Sequence, residues 1–114
     1  MVRIYHNSRC SKSRATLALL QDRGCAVEVI NYLETPPDAG ELAVLLKQLG
    51  MRPRDLLRTG EADYQTLGLA DPSLDDDALI AAMVAHPKLI ERPIVVANGK
   101  AAIGRPPETV LAIL

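Results

Sequence analysis

Within its first 33 residues the chain runs through a strand-forming segment, a turn, a helical stretch and a second strand-forming segment. Residues 2–5 are rich in β-formers and stop at the turn formers Asn7 and Ser8. Over residues 11–23 the spacing becomes helical, with Ser13, Leu17, Leu20 and Gly24 on one face and Gly24 as a natural stop. Residues 27–33 read as another strand. This order predicts a right-handed helical crossover between two parallel strands. It is the feature that most restricts the fold, because it implies a sheet with helices packed on it.

The middle of the chain changes character. Thr35-Pro36-Pro37-Asp38 resembles a helix start, with proline in the first turn and an acid at the third position. Leu42, Leu45, Leu46 and Leu49 then keep helical spacing up to Gly50. Residues 53–58 suit a short helix. Ser73-Leu74-Asp75-Asp76 suggests a cap for a helix running to His86, before Pro87. Strand signals return at residues 93–97 and 100–103, joined by the hairpin dipeptide Asn98-Gly99. Pro106 or Pro107 is expected to open a last helix carrying Val110, Leu111 and Leu114. The expectation is one α/β domain over residues 1–114, a mixed sheet with flanking helices and a helical block inserted at about 36–87.

Composition narrows the function classes. The chain has 114 residues, enough to bury roughly 65% of its unfolded surface without staples. The longest unbroken apolar run is 78–85, too short to span a membrane. The first six residues lack the apolar core of a signal peptide, so a cytoplasmic location is the default expectation. A formal net charge of −1 speaks against general binding to nucleic acid or anionic membranes. Of the 13 Lys and Arg residues, nine are Arg, whose planar fork grips oxyanions with two bonds.

The chemistry concentrates at Cys10. It ends the first loop and precedes the first helix, where free N–H groups and the helix dipole favour a thiolate. His6, Arg9, Lys12 and Arg14 lie close in sequence and add to that field. The competing reading is a buried, inert cysteine. Cys10-Ser11-Lys12-Ser13 keeps the spacing of a C-x-x-C redox pair but puts Ser13 in the second position. Ser13 can donate a hydrogen bond to a thiolate but cannot resolve a mixed disulfide. Cys25 lies past the far end of the helix, about 18 Å away at 1.5 Å per residue. Disulfide bonding needs Cα atoms within about 7 Å. Cys25 is therefore read as a packing residue, and the resolving thiol must come from outside the chain.

Several segments together carry a resemblance. Ile4-Tyr5-His6-Asn7 followed by Cys10-x-x-Ser13-Arg14-x-Thr16-Leu17 is similar to the start of the glutaredoxin-linked arsenate reductase family. Tyr32-Leu33-Glu34-x-Pro36-Pro37, Leu56-Leu57-Arg58, Leu67-Gly68-Leu69, His86-Pro87, Arg92-Pro93-Ile94-Val95-Val96 and Arg105-Pro106 extend the match over nearly the whole chain. Ile103-Gly104-Arg105-Pro106-Pro107-Glu108 resembles a compact branch of that family. The resemblance implies a thioredoxin-like fold with a cis Arg92-Pro93 bond. It implies Cys10 as nucleophile, His6 as the residue that helps hold it as thiolate, and Ser13 as a hydroxyl near the sulfur. It implies Arg58, Arg92 and Arg105 as the cations that bind the oxyanion, in a site where they converge on Cys10. The activity implied is reduction of arsenate to arsenite, with glutathione as co-substrate and glutaredoxin as partner. No bound cofactor, metal, nucleotide or flavin is implied.

Each assignment has a plainer alternative. His6 can be a satisfied residue at a strand end, Arg58 a helix C-cap, and Arg92 a solvated loop residue. Arg9 and Arg14 read as exposed charges that tune the field. Asp75-Asp76-Asp77 reads as the acids expected at a helix start, not as a metal site. His86 lacks a ligand partner at metal spacing and reads as structural. Two rival functions share the same residues. One is a glutathione-dependent thiol oxidoreductase acting on another substrate. The other is a redox-responsive regulator that binds RNA polymerase, for which Ser13 removes the usual C-x-x-C switch.

Overall fold

The computed structural model describes residues 2–114. The chain divides into two compact units, one made of Met1–Thr35 and Arg92–Leu114, the other of Pro36–Glu91.

The first unit is built on a four-stranded mixed sheet. Strand β1 (Val2–His6) leads through helix α1 (Ser11–Asp22) to β2 (Val27–Asn31), and the two strands pair in parallel from Val2↔Val27 to His6↔Asn31. β2 is shorter than the apolar pattern suggests. The carbonyl of Asn31 accepts the N–H groups of Glu34 and Thr35, which turns the chain out of the sheet before Tyr32 and Leu33. Strands β3 (Ile94–Ala97) and β4 (Lys100–Ile103) form the expected hairpin, and β3 pairs antiparallel with β1. The sheet order is therefore β2-β1-β3-β4. Asn98 (φ 55°) and Gly99 (φ 74°) both take positive φ, as a tight two-residue hairpin turn requires.

Ile4, Leu20, Val95 and Val110 form the buried core of this unit, with Cys25, Val27 and Ile113 packed against it. The last element, Pro107–Ile113, is the expected last helix and takes the 3₁₀ form. Three residues per turn bring Pro107, Val110 and Ile113 onto one side. Val110 is thus wholly buried while Leu114 is exposed.

The second unit is helical. Its elements are α2 (Ala39–Leu49), α3 (Pro53–Leu56), α4 (Ala62–Thr66), α5 (Asp76–Ala85) and a 3₁₀ turn at Pro87–Leu89. Leu42, Leu45 and Leu46 of α2, Leu56 of α3 and Leu79 and Met83 of α5 are buried, and α5 packs on both α2 and α3. One helix start differs from the sequence reading. Pro36 and Pro37 lie outside α2, and Asp38 is its N-cap, its Oδ1 accepting the Glu41 N–H at 2.8 Å. Within the expected cap at Ser73–Asp76, it is Asp75 that likewise caps α5, accepting the Ala78 N–H at 2.8 Å. A carboxylate reaches an orphan N–H of the first turn where proline has no side-chain acceptor. Ser73 is instead held by Asp71. Helix α4 has no counterpart in the hydrophobic pattern, because its five residues are too few to show a period. Among the described residues no helix is long and apolar enough to cross a membrane.

Candidate active site

Cys10 is the N-cap residue of α1, with extended backbone angles, and its carbonyl accepts the Arg14 N–H at 3.0 Å. The residue is only 8% exposed, which by itself fits an inert thiol. Burial does push the thiol up, but other effects outweigh it and the net direction is down. The Ser13 N–H, the charge of Arg92, the Lys12 N–H and the Arg105 guanidinium all favour the thiolate. The two N–H groups act without a formal capping bond to the side chain. Arg105 Nη1 lies 3.8 Å from the Cys10 sulfur and 3.2 Å from the Arg92 carbonyl oxygen, to both of which it donates. The Arg92 carbonyl thus anchors the Arg105 fork beside the sulfur.

The Ser13 side chain is engaged differently from what the sequence suggests. Its Oγ lies 2.6 Å from His6 Nδ1 and accepts the Asn7 N–H at 3.0 Å. Ser13 is fully buried, as is Thr16 on the next turn of α1. Hence Ser13 favours the thiolate through its backbone N–H while its hydroxyl ties the strand end to the helix. His6 is buried too. Burial, and next the positive charge of Arg14, hold its imidazole below the ordinary value, so the neutral ring is favoured. Arg14 also donates to the Ser8 carbonyl at 2.9 Å, which fastens the loop.

Both Arg92-Pro93 and Arg105-Pro106 are cis peptide bonds, the first as expected and the second not foreseen. Gly104 sits just before Arg105. A Cβ there would clash with Thr16 Oγ1 and lie 2.9 Å from Pro93 Cγ. Only glycine lets this segment approach α1 so closely. The sequence marks Gly104 merely as a strand stop, and the need for it comes from contacts 11 and 88 residues away in the chain.

These features match a known family. Residues 5–113 match the ArsC family model. The chain belongs to the ArsC family. It is 63% identical, over 99% of its length and 96% of the relative's, to a protein of Escherichia coli K12 named Uncharacterized protein YfgD. It is 54% identical to a protein named Arsenate reductase from Neisseria meningitidis serogroup A, over 99% of this chain and 97% of that one. The solved structure of an arsenate reductase from Vibrio cholerae superposes with a TM-score of 0.97 at 60% identity, covering 99% of this chain and 97% of that chain. The fold is accordingly thioredoxin-like α/β.

Within this ArsC chain, five of the six residues singled out by the sequence lie in the sheet unit: His6, Cys10, Ser13, Arg92 and Arg105. Arg58 belongs to the helical unit. There its N–H donates to Leu89 at 2.8 Å, and its Nη1 donates to the Lys88 carbonyl at 3.2 Å and pairs with Glu61 at 3.3 Å. Asp76 pairs with Arg52 at 3.6 Å, and His86 lies 3.7 Å from Asp63.

Proposed function

We propose that this chain reduces arsenate to arsenite with glutathione as reductant and glutaredoxin as partner. The observation that supports it most is Arg105 Nη1 at 3.8 Å from the sulfur of Cys10, the N-cap residue of α1. A thiolate and an arsenate oxyanion repel each other, so attack requires cations fixed at the sulfur. Arg105 and Arg92 are the cations that favour the Cys10 thiolate.

In the reaction, the Cys10 thiolate attacks arsenic and displaces hydroxide, which leaves as water after taking a proton. An S–As(V) bond results. The thiolate of glutathione then attacks the Cys10 sulfur. The S–As bond breaks with its electron pair going to arsenic, which falls from As(V) to As(III) and leaves as arsenite. Two sulfurs supply the two electrons and end as a Cys10–glutathione disulfide. Glutaredoxin takes the glutathione by thiol–disulfide exchange and restores the Cys10 thiolate. Cys25 has no part in this cycle. Arg58 enters the reading only through the family pattern, and its substitution tests it separately.

The test is arsenate-dependent NADPH oxidation coupled through glutathione reductase, with glutathione and glutaredoxin present. Turnover that needs both thiol components is expected, together with a single glutathione adduct on Cys10 when glutaredoxin is omitted. Turnover with thioredoxin alone, or a Cys10–Cys25 disulfide in the digest, refutes this cycle. A competing reading as an RNA-polymerase-binding regulator requires capture of polymerase by the purified chain.

A further inference from the structure

Beside the loop that ends in Cys10 there is a polar cavity of about 290 Å³, lined by Asn7, Ser8, Arg9, Asn31, Leu33 and Glu34. This is close to the lower end of volumes typical of small-ligand sites. Both walls are held by hydrogen bonds to or from the backbone. The Arg9 N–H donates to Asn7 Oδ1 at 3.0 Å, and the Ser8 carbonyl accepts from Arg14 at 2.9 Å. Across the cavity, the N–H groups of Glu34 and Thr35 both donate to the Asn31 carbonyl.

The cavity contains one cation and one anion that the fold does not use. Among the described residues the Arg9 guanidinium and the Glu34 carboxylate pair neither with each other nor with another group. On the neighbouring strands β1 and β2, opposite charges within reach do pair, as Arg3 and Glu28 do at 2.8 Å. Two opposite charges lining one concavity without meeting suit a ligand that is itself a zwitterion. Polar amides from Asn7 and Asn31 add neutral donors and acceptors between them.

We propose that this cavity seats the α-amino-acid end of the thiol co-substrate, with Glu34 receiving its ammonium and Arg9 its carboxylate. The identification of that end as the γ-glutamyl end of glutathione rests on the functional reading above. The reach is adequate. Arg9, which lines the cavity, is one peptide step, about 3.8 Å between Cα atoms, from Cys10, and the seven bonds from the γ-glutamyl Cα of glutathione to its sulfur span about 8 Å. A ligand held here by its amino-acid end has its sulfur within range of Cys10. Arg9 and Glu34 thereby act in binding, whereas the sequence alone marks Arg9 only as an exposed charge.

The test uses S-methylglutathione, which cannot react, and its analogue lacking the α-amino group, titrated into the wild-type chain and followed by amide NMR shifts. S-methylglutathione is expected to shift the amides of Ser8, Arg9, Asn31 and Glu34, and to bind about five- to tenfold tighter than the deaminated analogue. Glu34→Gln should erase that preference, and Arg9→Gln should weaken both ligands. S-methylcysteine as a third ligand separates sources: tighter binding than S-methylglutathione makes free cysteine the occupant and keeps the site. Shifts confined to other residues, or an undiminished preference in Glu34→Gln, overturn the proposal. An absence of arsenate turnover with these shifts present defeats the functional reading and leaves the binding site standing. Turnover with the shifts elsewhere defeats the site alone.

Discussion

Helix α1 has a cysteine at each end, and the two ends treat the same side chain in opposite ways. Cys10 precedes the helix, where the Ser13 and Lys12 N–H groups and the positive pole of the dipole favour the thiolate. Arg92 and Arg105 add two cations. Cys25 follows the helix, where the orphan groups are carbonyls and the pole is negative. Its N–H donates to the Leu20 carbonyl at 3.1 Å, and its side chain packs on Ile4, Leu20, Val95 and Val110. Both cysteines are free thiols. Cys10 is the more buried of the two and Cys25 is half-buried, so exposure is a poor guide to which is reactive. Charge and orphan donors at the helix N-terminus distinguish them.

The largest expected effect is at the first of these sulfurs. Cys10→Ser should abolish arsenate turnover, by a factor of at least about 10³, since an alcohol does not ionise at neutral pH and offers no sulfur for glutathione to attack, so arsenic receives no electron pair. Cys25→Ser should keep turnover within about twofold. A comparable loss in both variants erases the contrast between the helix ends.

Arg105→Lys comes next. Lysine keeps the charge but not the fork, so arsenate turnover should drop about tenfold or more, toward the cost of losing one oxyanion donor. Alkylation of Cys10 by the neutral reagent iodoacetamide should change little, because a cation stays near the sulfur. Equal losses in both measurements would mean that Arg105 supports the fold and not the oxyanion.

The contrast also has a pH signature. Alkylation of native protein should show a midpoint below the free-thiol value of about 8.5, and this midpoint should vanish in Cys10→Ser. The folded Cys10 value lies below the unfolded one. The thiolate's contribution to stability is therefore fully present above the unfolded value and is lost as pH falls through the folded value. The stability gap between the wild type and Cys10→Ser should close over that window in denaturant unfolding. A gap independent of pH breaks the electrostatic account.

Two smaller effects test packing on the same helix. Gly104→Ala should cost about 1–3 kcal/mol, since its Cβ has to displace Thr16 of α1 and Pro93. It should also slow arsenate turnover by shifting Arg105, the adjacent residue. Cys25→Ser should cost about 1 kcal/mol, through a hydroxyl placed against the apolar cluster, with no change in the Cys10 alkylation midpoint. Chemical denaturation measures both.

Much of this was written in local patterns. The strand–helix–strand run, the Asn98-Gly99 turn and the leucines of α2 each depend on neighbours a few residues apart, and the matching elements are present. The position of Cys10 at a helix start was equally legible, because capping is a local property. Short elements were not: α4 is too brief for a period, and the 3₁₀ form of Pro107–Ile113 follows from what Val110 and Ile113 pack against. The tertiary structure alone decided that Arg105 reaches a sulfur 95 residues earlier, that the Ser13 hydroxyl serves His6 and Asn7, and that Gly104 must lack a side chain. It also decided that Arg9 and Glu34 line one cavity. The physical reason is common to all four. A sequence shows which groups a residue brings and which neighbours lie within a turn or two, whereas long-range proximity arises only when the sheet and α1 fix those groups in space.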